Sequence, residues 1–361
     1  YLEEVYGRIW GFICGWVQTV IYGPAVMGAL GLYFGSLLVS FFQLDSSLST
    51  IVGIITVVFL GVVNSLGTRY GGIIQNVSTV AKLIPIFAIA IFGIILGDQP
   101  VLNVSSGSST AAISMGAAIL ATLWAYDGWM NVGFMAGEMK DPSKTLPKAI
   151  ITGILIVMIS YLSVNIAMLH VLTAEQIIEL GPNAANTAAT ILFGDFGGKL
   201  ITIGILISIF GCLNGKILTF PRIPFAMAQN GLLPGAKQIS KVHKTYKTPM
   251  NATIMQMVIA IIMMIVSDPD RLTDMAIFSV FSFYGLAFFA VFILRKKQPD
   301  VKTYKVPFYP LTPIIAVIGT IYLVVNTVMD KPADALLSIG IGIIGLPLYF
   351  VLTKKKSRAS N

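Results

Sequence analysis

The run Gly72-Ile73-Ile74-Gln75-Asn76-Val77-Ser78-Thr79-Val80-Ala81-Lys82-Leu83-Ile84-Pro85-Ile86-Phe87-Ala88-Ile89-Ala90-Ile91-Phe92-Gly93-Ile94-Ile95-Leu96 carries a single charge, Lys82. As a helix rising 1.5 Å per residue, it is long enough to cross about 30 Å of hydrocarbon. Lipid offers the backbone no hydrogen-bond partner, so a crossing segment must close its own bonds as a helix. A membrane-barrel strand would be shorter and would alternate polar with apolar residues, which this run does not.

Comparable stretches recur outward from it along all 361 residues. Ten spans are predicted, over 9–40, 49–66, 72–96, 112–137, 148–172, 198–219, 249–267, 273–294, 311–329 and 333–352. Composition agrees: 56% of residues are hydrophobic, 11% are charged and the mean hydropathy is +0.84. A soluble domain carries about 25% charged residues. The net charge of +8 does not point to nucleic acid, because the basic residues are confined to short loops between spans. Cys14 and Cys212 both fall inside apolar runs, so a disulfide framework is not expected. No cleavable signal peptide is read at the start of the chain, which opens on Tyr1.

With ten spans the loops segregate by sign. One side holds Arg8, Arg69, Lys140, Lys144, Lys148, Arg222, the 237–247 lysines, the 295–305 cluster and the 354–358 tail. The other holds only Lys199, Arg271 and Lys331 as cations, and it collects most of the acids. Lys and Arg accumulate in short cytoplasmic loops, so both ends of the chain are expected to face the cytoplasm.

Three charged residues stay inside spans: Lys82, Asp127 and Lys216. Ionisable groups at membrane depth are costly and mark function by default. Lys82 lies about 15 Å along its helix, too deep to reach the interface easily; it either serves function or salt-bridges within the bundle. Lys216 lies near the basic-side end of its span and is expected to snorkel. Asp127 sits in Leu123-Trp124-Ala125-Tyr126-Asp127-Gly128-Trp129, where aromatics crowd an acid and a glycine at mid-span. Such a segment reads as a helix interruption lining a cavity, with backbone carbonyls and N–H groups free to hold an ammonium or a carboxylate. An aromatic packing cluster in an intact helix is the alternative.

Other motifs carry less. Gly211-Cys212-Leu213-Asn214-Gly215-Lys216 is one residue short of a phosphate loop and lacks the Ser/Thr after Lys, so a helix-packing glycine pair is the better reading. His170 and His243 are the only histidines, and no metal-protease, serine-hydrolase or clustered Cys/His pattern occurs. An enzyme, a metal site and a cofactor are therefore not expected.

Three stretches in order resemble the L-type amino acid transporter family of the amino acid–polyamine–organocation superfamily. They are Trp124-Ala125-Tyr126-Asp127-Gly128-Trp129 continuing through Gly137-Glu138-Met139-Lys140-Asp141-Pro142 to Leu146-Pro147-Lys148-Ala149-Ile150; Phe210-Gly211-Cys212-Leu213-Asn214-Gly215 with Pro221-Arg222 and Phe225-Ala226-Met227-Ala228-Gln229-Asn230-Gly231-Leu232-Leu233-Pro234; and Tyr1-Leu2-Glu3-Glu4-Val5-Tyr6-Gly7. The resemblance spans the whole chain and is nearest to bacterial serine/threonine and alanine-serine-cysteine exchangers. It implies an all-α integral membrane fold, a leucine-transporter-like five-plus-five inverted repeat with two C-terminal helices. The ten spans here match spans three to twelve of that plan, with the first two absent.

The resemblance also implies function. The expected activity is sodium-independent exchange of small neutral L-amino acids (Ala, Ser, Cys, Thr) across the bacterial plasma membrane by alternating access. The substrate-binding segment would be Trp124, Ala125, Tyr126, Asp127 and Gly128, with the carbonyls of Trp124 and Asp127 accepting from the substrate ammonium and the Trp124 ring acting as an outer gate. Lys82 would stand in for the sodium ion of sodium-coupled relatives, with Ser208 and Cys212 as partners. The external loop Phe42-Gln43-Leu44-Asp45-Ser46-Ser47-Leu48-Ser49 lacks the cysteine through which animal relatives bind a glycoprotein, so no disulfide-linked heavy chain is expected. A proton-coupled symporter, with Lys82 changing protonation, is the alternative within transport; an amino acid receptor that moves nothing is the alternative outside it.

Overall fold

A computed structural model describes residues 2–101, 122–123, 125–130, 132–133, 139–297 and 306–360. Its helices are α1 (Leu2–Tyr6), α2 (Arg8–Val17), α3 (Gly23–Phe41), α4 (Ser49–Ser65), α5 (Thr68–Leu96), α6 (Pro142–Val171) and α7 (Ala174–Leu180). They continue as α8 (Ala184–Thr219), α9 (Arg222–Gln229), α10 (Ala236–Ile239), α11 (Met250–Val266), α12 (Pro269–Lys297), α13 (Leu311–Asp330) and α14 (Pro332–Ser360). Among the described residues eight helical stretches are long and apolar enough to cross a membrane, and α11 is a shorter apolar helix of 17 residues. The span expected over 112–137 lies mostly outside the described residues.

The first stretch is not one regular helix. Between α2 and α3 the residues Gln18–Tyr22 form a π-helical turn. Such a turn inserts a residue and displaces the carbonyl ladder. Here the Thr19 carbonyl accepts 2.7 Å from Nε2 of Gln256 on α11, which is 1% exposed. Tyr22, the last residue of the turn, is 1% exposed and packs against Phe220.

The core is built around α3, whose Ala25, Met27 and Ala29 are fully covered by α4, α8, α11 and α12. Lipid tails are as apolar as leucine, so helices in a bilayer associate by close packing of small residues. α3 and α4 show this directly: a Cβ at Gly53 would lie 2.5 Å from the Gly31 carbonyl oxygen. On α8, Gly204, Gly211 and Gly215 face Pro85, Ser78 and Gln75 of α5, so the phosphate-loop-like motif is helix packing. The same interface is tied by Asn214, fully buried, which accepts from Asn64 Nδ2 at 2.9 Å and donates to the Gly71 carbonyl at 2.9 Å. By contrast α6 buries only Ala167 and Val171, leaving a long apolar surface.

α8 is longer than the span expected over 198–219. It begins at Ala184 and is kinked at Gly194, whose φ of +71° is a conformation only glycine adopts without strain. Nor does its C-terminal end reach an edge: Phe220 is 1% exposed, and Pro224, Met227 and Ala228 of α9 are buried in turn. The last turn of α8, with Lys216, is thereby held inside the bundle.

Candidate functional site

The segment expected to be broken is described over most of its length. Tyr126 closes a helical bond to the Thr122 carbonyl at 3.1 Å, after which 126–128 forms a turn with Gly128 at φ +107°. A side chain at that φ would be strained, so glycine is what permits the break. Leu123 and Met130, on either side, pack against the α3 core and hold both ends of the interruption.

The turn is gripped from three directions. From α6, the Tyr161 hydroxyl donates to the Ala125 carbonyl at 2.9 Å, and its ring meets Tyr126 edge-on at 5.1 Å. From α12, Trp129 contacts Tyr284 at 5.7 Å and stacks parallel to Phe288 at 6.4 Å. From the α3 core, the Tyr22 hydroxyl lies 2.9 Å and 2.8 Å from the two carboxylate oxygens of Asp127.

The second partner of Asp127 is Lys216. Its Nζ lies 3.1 Å from Asp127 Oδ2, with the two side chains 12% and 5% exposed. The same ammonium sits 5.9 Å and 5.2 Å from the ring centres of Tyr22 and Phe220. The expectation that Lys216 snorkels to the interface is corrected: it turns inward and neutralises the acid. The reason is tertiary, because the end of α8 is an interior bend. Tyr22 was not singled out in sequence, since one tyrosine in an apolar span carries no signal by itself. The signal that was available is the charge balance, one acid and two bases at membrane depth, which predicts a pair but not which base.

Lys82 lies on α5, partly buried, and among the described residues makes no hydrogen bond or ion pair; none joins it to Ser208 or Cys212. Ser208 is partly buried and Cys212 exposed. Trp124 lies outside the described residues. A cavity of about 320 Å³ opens beside the break, lined by Ala125, Tyr126, Asp127, Gly128 and Trp129 on one side and by Ala149, Gly153, Val157 and Tyr161 of α6 on the other. That lies within the range of small-molecule pockets. Among the described residues no group of His, Cys, Asp or Glu is arranged to hold a metal.

The family model described as amino acid permease matches residues 1–352. The chain belongs to this family. It is a multi-pass membrane transporter rather than an enzyme, as the recurring apolar helices and missing catalytic patterns suggested. This permease is 51% identical to the serine/threonine exchanger SteT of Bacillus subtilis, over 99% of its own length and 82% of the relative. It is 30% identical to the human cystine/glutamate transporter, covering 99% of this permease and 72% of that protein. With the rat b(0,+)-type amino acid transporter 1 the identity is 28%, over 99% and 74%.

Proposed function

We propose that this permease exchanges small neutral L-amino acids, alanine, serine, cysteine or threonine, without sodium and by alternating access about the turn at 126–128. The observation that carries the proposal is the closed, charge-neutral cluster Tyr22–Asp127–Lys216 directly beside that turn. A site whose only acid among the described residues is already paired offers no free carboxylate to a cationic side chain, yet leaves the backbone at the break for a zwitterion's own ammonium and carboxylate. Identity of 51% to a serine/threonine exchanger supports the same substrate class.

The carbonyls of Trp124 and Asp127 receive the ammonium, Ala125, Tyr126 and Gly128 shape the turn, and Trp124 closes it from outside. Tyr161 already occupies the Ala125 carbonyl, so that group positions the turn rather than the ligand. The ammonium of Lys82 takes the place of a bound cation, toward Ser208 and Cys212; its lack of a carboxylate partner among the described residues supports this. Both ends of the chain lie in the cytoplasm of a bacterial cell, and no disulfide-linked subunit is required, the external loop 42–49 holding no cysteine.

Uptake of labelled serine into proteoliposomes tests the reading. Rapid uptake into serine-loaded vesicles, little into empty ones, and no change when potassium replaces sodium are expected. Equal uptake into empty vesicles would sink exchange, a sodium requirement would sink the Lys82 role, and drive by an imposed pH gradient would point to proton coupling.

A further inference from the structure

The segment 235–249, joining α9 to α11, plays no part in the site described above. It carries Lys237, Lys241, Lys244 and Lys247, all exposed, with Val242 and Tyr246 exposed between them. No Asp or Glu occurs anywhere between Asp195 and Asp268, and none of the four lysines forms an ion pair among the described residues.

The segment is held in a fixed shape. The Thr248 hydroxyl, on a residue 2% exposed, donates to the Ser65 carbonyl at the end of α4 at 2.7 Å, and Asn251 Nδ2 donates to the Gln238 carbonyl at 2.7 Å. Between these anchors the His243 N–H donates to the Thr248 carbonyl at 2.9 Å and the Lys247 N–H to the His243 carbonyl at 3.0 Å, while the His243 and Tyr246 rings stack at 4.8 Å. The cations thus stand on a braced platform, at the end of transmembrane helices, with an aromatic and an aliphatic side chain among them.

We propose that this platform is a binding site for anionic lipid headgroups. Its charge complements a phosphodiester, no carboxylate competes within the segment, and Tyr246 and Val242 suit the boundary between headgroups and acyl chains, where aromatic residues concentrate. Juxtamembrane lysines contribute about 1 kcal/mol each at an anionic surface, so each lysine removed weakens retention about fivefold.

The test is native mass spectrometry of the purified full chain titrated with phosphatidylglycerol or phosphatidylcholine, alone and with inorganic phosphate added. Wild type is expected to retain phosphatidylglycerol preferentially. Single Lys→Gln changes at 237, 241, 244 or 247 should each weaken it about fivefold, and the fourfold variant should abolish the preference. Thermal unfolding in neutral detergent should be the same for wild type and the fourfold variant, since all four side chains are exposed. Undiminished retention by that variant would overturn the assignment, as would displacement of the lipid by millimolar phosphate, which would mark a site for a soluble anion. Lipid retention is read without any transport, so this proposal and the exchange reading fail separately.

Discussion

Replacing Lys216 by Met tests the central cluster most directly. The change keeps a long apolar stem against Tyr22 and Phe220 but leaves the Asp127 carboxylate, 5% exposed, without its cation. Breaking a buried pair by removing one partner costs about 3–5 kcal/mol. Here the Tyr22 hydroxyl remains at 2.8–2.9 Å, and a hydrogen bond to a charged group is worth about 1.5–3 kcal/mol. The loss should therefore fall at the lower end, about 3 kcal/mol. Asp127→Asn leaves the lysine instead, softened by two aromatic rings, and should cost a similar amount. The double variant Asp127→Asn/Lys216→Met holds no unpaired charge and should cost about 3 kcal/mol rather than the roughly 6 that additive singles would give, a coupling energy of about 3 kcal/mol in a double-mutant cycle. Denaturant unfolding of the detergent-solubilised permease measures all four corners. A second readout follows from the same geometry: with Lys216 gone, Asp127 is free to pair with a cationic substrate, so lysine should become a competitor of serine uptake in Lys216→Met and not in the double variant. Additive single effects, with coupling below about 0.5 kcal/mol, would refute the reasoning, because they would mean that the two charges do not depend on each other.

Tyr161→Phe removes the hydroxyl that holds the Ala125 carbonyl at 2.9 Å but keeps the ring against Tyr126; the KM for serine exchange should rise several-fold with membrane insertion unchanged in a fractionation assay. Gly53→Ala places a Cβ 2.5 Å from the Gly31 carbonyl oxygen, a backbone atom that yields only if α3 and α4 separate, and should cost about 1–3 kcal/mol by thermal unfolding. Lys331 is held above the usual lysine range, chiefly by its hydrogen bond to Asp274. A raised lysine contributes stability that is fully present below the unfolded-state value of about 10.4 and is lost as pH rises through the folded one. Wild type should accordingly lose slightly more thermal stability than Lys331→Met above about pH 10.4, and the same amount below pH 9.

Much of this protein was legible in its residues, for a reason specific to membranes. Hydrocarbon forbids open backbone and unpaired charge, so a run such as 72–96 has one permitted structure, and a charge that persists within a span must be explained. Gly128 beside Asp127 announced a break because an acid and a glycine at mid-span suit no lipid-facing helix, and the turn at 126–128 with φ +107° is what forms. Gly211 and Gly215 likewise read as packing residues, and they meet α5.

What sequence could not decide was partnership. Lys82 and Lys216 are equivalent candidates for Asp127 on a linear chain, and position within the apolar run favoured the wrong reading of Lys216. That position misled because the end of an apolar run can be covered by the chain that follows it. Phe220 and α9 carry the chain back into the interior, so the last turn of α8 delivers its ammonium to Asp127. Tyr22, the last residue of a π-helical turn whose Thr19 carbonyl is held by Gln256 of α11, reaches the same carboxylate. Hydropathy determined that this chain spans a membrane, and the rarity of buried charge drew attention to Lys82, Asp127 and Lys216. Which groups meet there depends on helix bends and crossings, set by contacts between residues more than a hundred positions apart, such as Tyr22 and Asp127.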